Sequence, residues 1–272
     1  MKTSLSEIST VNATFAEDVA AYAAAGFDAI GIWESKLPDD DVANLALLAE
    51  HGLTVSNCVP LVPSFLPVGI PGLEGPSDLD ERYAALDASV RRLAAYQPEC
   101  LVCITGAAGA LSERAAHELV VDRLQQLATV AREAGTRLGF EPLHPHDREI
   151  ASFVNTAAAA AALLDEAGLS DVGLLIDTFN LWDDDGAVVW LQENGARITG
   201  FHVADQPSAG HTGRLLPGEN GTRTRELVDA ARAGGWDGSV DVEIFSAQDD
   251  FWGLPLADAT RCAHASAVAL LT

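Results

Sequence analysis

The 272-residue chain has the length of one large α/β domain, and at 48% hydrophobic residues it carries enough apolar material for a sizeable core. Its 40 acidic residues against 16 basic ones leave a formal charge of −24, so its surface repels phosphate backbones and anionic lipid and favours cations. Nucleic acid and membrane are therefore poor partners. No run of about 20 apolar residues is present to span a bilayer, and MKTSLSEIST lacks the apolar stretch of a signal peptide, so a cytoplasmic setting is expected.

The first apolar segment, TSLSEIS, reads as a strand with no helix before it. From there one unit recurs: an Ala-rich or acidic helical stretch, a glycine, then a short apolar run. It appears as AAAGFDAIGIW, AEHGLTVSNC, REAGTRLGFE, DEAGLSDVGLLID, QENGARITGFH and RAGGWDGSVDVE. Gly26, Gly52, Gly135, Gly168, Gly195 and the Gly234-Gly235 pair suit the left-handed position that ends a helix. AYQPECLVCIT is a further copy in which Pro98 takes the place of the glycine. The apolar runs are nearly continuous, as in strands buried on both faces. Helices are predicted near 14–25, 39–51, 78–96, 112–134, 155–167, 186–194, 222–233 and 255–271. Eight strands, each followed by a helix, predict a single α/β domain over 1–272, a (β/α)8 TIM barrel. The rival doubly wound sheet calls for a GxGxxG turn after an early strand, and the sequence has none.

After the third strand comes LVPSFLPVGIPGLEGPSD, residues 61–78, unusually apolar for a loop. It suits a lid, a subunit contact or a long ordered loop. Next, Cys100 and Cys103 form a CxxC inside the apolar run CLVCIT. Residues three apart on a strand face opposite ways, so the pair reads as buried and structural rather than as a metal or redox site.

In such a barrel the chemistry collects at the carboxyl ends of the strands. The fifth strand closes at Glu141, the sixth at Asp177, the seventh at His202 and the eighth at Glu243. Each alone has an ordinary reading, a helix cap or a core histidine. Together they bring three carboxylates and an imidazole to one rim, where unneutralised carboxylates repel one another. One divalent metal resolves this, and the donor set suits Mn²⁺ first, with Mg²⁺ or Co²⁺ also served and Zn²⁺ tolerated.

Through EPLHP, LLIDTFNLW, FHVADQ, RLLPGENG and VDVEIFS the chain resembles the xylose isomerase-like, sugar phosphate isomerase/epimerase superfamily of barrels. That group includes ketose 3-epimerases, hydroxypyruvate isomerases, inosose isomerases and dehydratases, 3-dehydroshikimate dehydratases, the catalytic subunits of C-glycoside deglycosidases, and endonuclease IV. The resemblance implies that Glu141, Asp177, His202 and Glu243 bind one catalytic divalent metal. It also implies that Glu141 and Glu243 trade a proton beside a carbonyl through an enediolate. Return of the proton to the neighbouring carbon gives isomerisation, return to the other face gives epimerisation, and loss of a β-substituent gives elimination. An isomerase or epimerase is the first expectation. A lyase acting on an oxo-sugar, inosose or 3-oxo C-glycoside is the second, and a barrel without catalysis the third. Charge and the absence of the extra histidines of a three-zinc site argue against an endonuclease.

One departure bears on mechanism. Many members carry a histidine in a DTxH pattern after the sixth strand, whereas DTFN places Asn180 there, able to bind a sugar hydroxyl or cap a helix but not to titrate near neutrality. His144, three residues beyond Glu141, is the compensating candidate base and favours the lyase reading. His146 and Asp147 read as solvated, although some relatives place a substrate-binding acid near Asp147. In the loop after His202, Arg214 is the expected grip on substrate oxygens and His211 a weaker candidate. Trp33, Trp182 and Trp252 are expected to line the site, with Phe179, Phe245 and Phe251, since sugars and flavonoid-like aglycones stack on such rings. A small sugar-derived substrate is expected, and a homo-oligomer or small partner subunit is left open.

Overall fold

The computed structural model describes residues 1–207 and 213–272. Eight parallel strands close into a barrel in chain order: β1 (Lys2–Ser6), β2 (Ala29–Trp33), β3 (Thr54–Val59), β4 (Cys100–Cys103), β5 (Leu138–Phe140), β6 (Gly173–Asp177), β7 (Ile198–Val203) and β8 (Ser239–Val242). The register from Lys2↔Ser239 to Leu5↔Val242 joins β1 to β8 and leaves no edge. The helices are α1 (Phe15–Ala25), α2 (Asp41–His51), α3 (Leu79–Leu93), α4 (Glu113–Ala134), α5 (Ala157–Glu166), α6 (Ala187–Asn194), α7 (Thr224–Ala233) and α8 (Leu256–Leu271). The (β/α)8 expectation is met, and among these described residues no helix is long and apolar enough to cross a membrane.

Local chemistry sets the helix limits. The side chains of Thr14, Asp40, Asp78, Ser112 and Thr156 each accept the backbone N–H that opens their helix. Helix α3 ends sooner than predicted, because a tight turn at Ala94–Tyr96 and a left-handed Gln97 (φ 51°) lead into Pro98. Gly195 is also not what its spacing suggests, for its φ is −52°. It is small because a Cβ there would meet the Gly234 carbonyl oxygen at 2.3 Å, where the end of α6 passes the end of α7.

The core has two layers. One lies between strands and helices and includes Cys103. The other fills the barrel with Trp33, Val59, Cys100, Val102 and Leu175. Cys100 and Cys103 thus face opposite ways, and burial pushes both thiols well up. Segment 61–78 is ordered. Phe65 and Leu66 donate to the carbonyls of Ile104 (3.2 Å) and Thr105 (2.8 Å), and Gly69 to that of Ile150 (2.7 Å). Buried Arg82 donates to Ser64 Oγ at 2.7 Å and to the Glu74 carbonyl. The segment stands as a wall over the carboxyl end of the barrel.

Candidate metal centre

Glu141 and Glu243 each stand one residue past a strand, but their N–H groups continue the ladder to Cys103 (2.9 Å) and Val203 (3.2 Å). Asp177 ends β6 in register with His202 of β7, which is in turn in register with Asp241 of β8. Parallel pairing therefore delivers all four expected donors to one end, and all four are buried. One ligand atom each from Glu141, Asp177 and His202 lie within 4.8 Å of one another. Glu243 stands outside that trio but touches it, its Oε2 lying 3.4 Å from His202 Nδ1.

The electrostatics of this cluster are those of charges short of a counter-ion. Burial pushes Glu141 up to about 8, with Asp177 and Glu243 adding to the rise and His202 opposing it. Asp177 is also raised, by burial, against the pull of Arg214. Burial works to lower His202, but Glu243, Asp241 and Glu141 outweigh it and lift the ring to about 10. Glu243 moves the other way, because His202 and Arg214 outweigh its burial. Both ring nitrogens of His202 are buried without a hydrogen-bond partner among the described residues. A buried imidazole with free nitrogens beside three carboxylates fits a divalent cation held by oxygen and nitrogen donors.

Two further expected residues meet this centre. Asn180 Nδ2 donates to Glu141 Oε1 and Asp177 Oδ2, both at 3.1 Å, so it holds the carboxylates and caps no helix. Arg214 Nη1 donates to Asp177 Oδ2 and Glu243 Oε2, both at 2.9 Å, with its guanidinium between the rings of Phe179 (4.3 Å) and Phe245 (4.9 Å). Trp33 lines the adjoining cavity of about 350 Å³, with its Nε1 donating to Ser6 Oγ at 3.0 Å.

Four expected residues do not reach that cavity, and one of them, Phe251, lines a separate hollow. His144 is turned away: its Nε2 pairs with Asp183 Oδ1 at 3.1 Å and its Nδ1 accepts the His146 N–H at 3.2 Å. Trp182 stacks on His144, at 6.4 Å between ring centroids. Trp252 donates from Nε1 to the Ile244 carbonyl at 3.0 Å and lines that hollow with Ser9, Thr10 and Asn12. His211 lies outside the described residues.

Two residues gain a place. Asp147, expected to be solvated, lines the cavity. Asp241 lies fully buried beneath them, its Oδ2 at 3.6 Å from His202 Nε2 and accepting from Asn57 Nδ2 at 2.8 Å. A Cβ on Gly31 would fall 2.2 Å from that oxygen, so the glycine makes its room. The signal for Asp241 was its position two before Glu243, which puts both on the same face of one strand.

A family model described as xylose isomerase-like TIM barrel matches residues 19–265. The chain belongs to this family. Its members similar to this chain include enzymes of two reaction types. The chain is 29% identical over 270 residues to a 3-dehydroshikimate dehydratase of Pseudomonas aeruginosa, covering 94% of this chain and 39% of that protein. It is 28% identical over 129 residues to a D-psicose 3-epimerase of Enterocloster bolteae, covering 47% of this chain and 40% of that one. The chain thus spans about two fifths of the length of the curated relatives it matches. Among solved structures, an IolI protein with a bound zinc atom superposes with a TM-score of 0.81 at 21% identity, over 100% of this chain and 98% of that one.

Proposed function

We propose that this chain is a divalent-metal-dependent isomerase or epimerase of a sugar or polyol-derived hydroxy-carbonyl compound, with Mn²⁺ as its cation. The observation that carries the reading is the convergence of Glu141, Asp177, His202 and Glu243 at one end of the barrel, beside a cavity. A bound divalent cation supplies electrophilic stabilisation of negative charge on a substrate oxygen. Glu141 and Glu243 come from non-neighbouring strands and both line the cavity, so substrate between them meets one carboxyl group on each side. Glu243 takes the proton from carbon and Glu141 delivers one, each from its own strand end. Asn180 and Arg214 hold these carboxylates in place.

Elimination by the same residues is the second reading, favoured by the dehydratase match across 94% of the chain. In either reading the glutamates do the proton work, since His144 stands off the cavity. The test is a panel of ketoses, inososes and 3-oxo glycosides with Mn²⁺ in D₂O, followed by NMR. Deuterium is expected at the carbon beside the carbonyl with the wild type and not with Glu141→Gln, and the product separates isomerisation from elimination. Equal exchange by the variant contradicts the reading.

A further inference from the structure

The cavity beside the carboxylates is unevenly built. Among the described residues, five of its polar side chains, Glu141, Asn180, His202, Arg214 and Glu243, belong to the ligand cluster or bond to it. Asp147 is the sixth. An apolar wall is made by Ile70, Leu73, Ile104, Leu143 and Ile150, branched aliphatic side chains that offer no hydrogen bond and no flat ring. A free ketose carries hydroxyls around its whole carbon chain, and each one turned to this wall exchanges water for nothing. Trp33 and Phe245 stand edge to face, with centroids 5.6 Å apart, and close a third side with aromatic surface.

The wall is preformed. Leu143 donates its N–H to the Val154 carbonyl at 3.1 Å, Ile104 to that of Pro63 at 2.9 Å and Leu73 to that of Ile70 at 3.0 Å. Val68, Ile104, Leu143 and Ala151 pack together behind it, with Ile70 and Leu73 against them. At the mouth Ile150 is 44% exposed, a large apolar side chain at the edge of an apolar hollow. A rigid apolar concavity that runs without a break into a polar, metal-suited end is shaped for one ligand with two unlike halves.

Resting on the reading above, we infer that the substrate is an α-hydroxy carbonyl compound bearing an apolar aryl or alkyl group. Its oxygenated head meets the ligand cluster and its apolar body meets the Ile70–Ile150 wall. A small free sugar is then the poorer ligand. Among the described lining residues, Asp147 is the one carboxylate outside the ligand cluster that can accept a hydroxyl.

Calorimetric titration of the full chain loaded with Mn²⁺ tests this, with 2-hydroxyacetophenone against dihydroxyacetone and D-fructose. The first two share a hydroxyketone head and differ in the apolar body. 2-Hydroxyacetophenone is expected to bind at least about tenfold more tightly than either sugar. Leu73→Gln and Ile150→Asn, both at partly exposed positions, are expected to remove that preference and leave Mn²⁺ binding unchanged. Equal or tighter binding of D-fructose, or a preference untouched by both variants, overturns the inference. So does a changed oligomeric state in the variants with ligand preference kept, which reassigns the wall to a second copy of the chain. Wall-dependent binding without deuterium exchange from D₂O supports the apolar body and overturns only the catalytic reading.

Discussion

His202 stands between two carboxylates with different tasks. Glu243 belongs to the proposed ligand set, whereas Asp241 sits below, facing the far ring nitrogen and anchored by Asn57. A partner in that position sets the orientation of a histidine ligand and the basicity of its free nitrogen. Asp241→Asn is therefore expected to lower Mn²⁺ affinity by ~10–100-fold with the fold retained, measured by calorimetry and circular dichroism. Unchanged affinity contradicts that role. Glu141→Gln should reduce turnover by at least ~100-fold, while His144→Ala should leave it near the wild-type rate. A severe loss in His144→Ala, with metal still bound, restores the histidine base. That Glu141, Asp177, His202 and Glu243 share one rim was legible in the sequence, because each closes an apolar run and strand direction does the rest. His144 was not, because the Pro145–Asp147 turn and Asp183, from a distant loop, decide where its ring points.

At the scale of the elements, the wall depends on one close approach. Gly106 has a φ of 80°, and a Cβ there would lie 2.0 Å from the Leu66 carbonyl oxygen. Gly106→Ala therefore strains its own backbone and displaces segment 61–78, a combination expected to cost at least ~2 kcal/mol in urea unfolding. A loss below ~0.5 kcal/mol would mean that the segment yields freely. Helix and strand limits were readable from caps, glycines and apolar runs, since these are local signals. The order of segment 61–78 was not readable. It is held by backbone bonds to Ile104, Thr105 and Ile150, and by Arg82 from the following helix, none of which a periodicity reports. Gly195 likewise reads as a helix stop in the sequence and proves to be a packing contact between two turns.

For the molecule as a whole, the pattern is a strongly acidic exterior with a few carboxyl groups sealed inside. Apart from the candidate metal centre, the clearest is Glu7, which accepts the Trp33 N–H at 2.9 Å while its Oε1 is buried without a partner among the described residues. Burial lifts it from 4.5 to about 8, against the opposing charge of Lys36. Its folded-state value exceeds its unfolded one, so it favours the folded state at low pH. That contribution is complete below about 4.5 and is lost as pH rises through about 8. Glu7→Gln, uncharged throughout, should therefore gain on the wild type in unfolding free energy between pH 5 and pH 8, a window that ~4.5 to ~8 defines. A pH-independent difference between the two proteins contradicts the buried, protonated Glu7.

The proposed function requires one cation held by residues of four strands. Its most direct measurement is Mn²⁺ binding by calorimetry and by the electron paramagnetic resonance spectrum of the bound ion, for the chelator-stripped chain and for Asp177→Asn and Glu141→Gln. One Mn²⁺ per chain is expected, with affinity lost in both variants and a raised thermal midpoint only in the loaded wild type. Unaltered binding in the two variants, or no saturable uptake by the wild type, contradicts a cation held by these four residues.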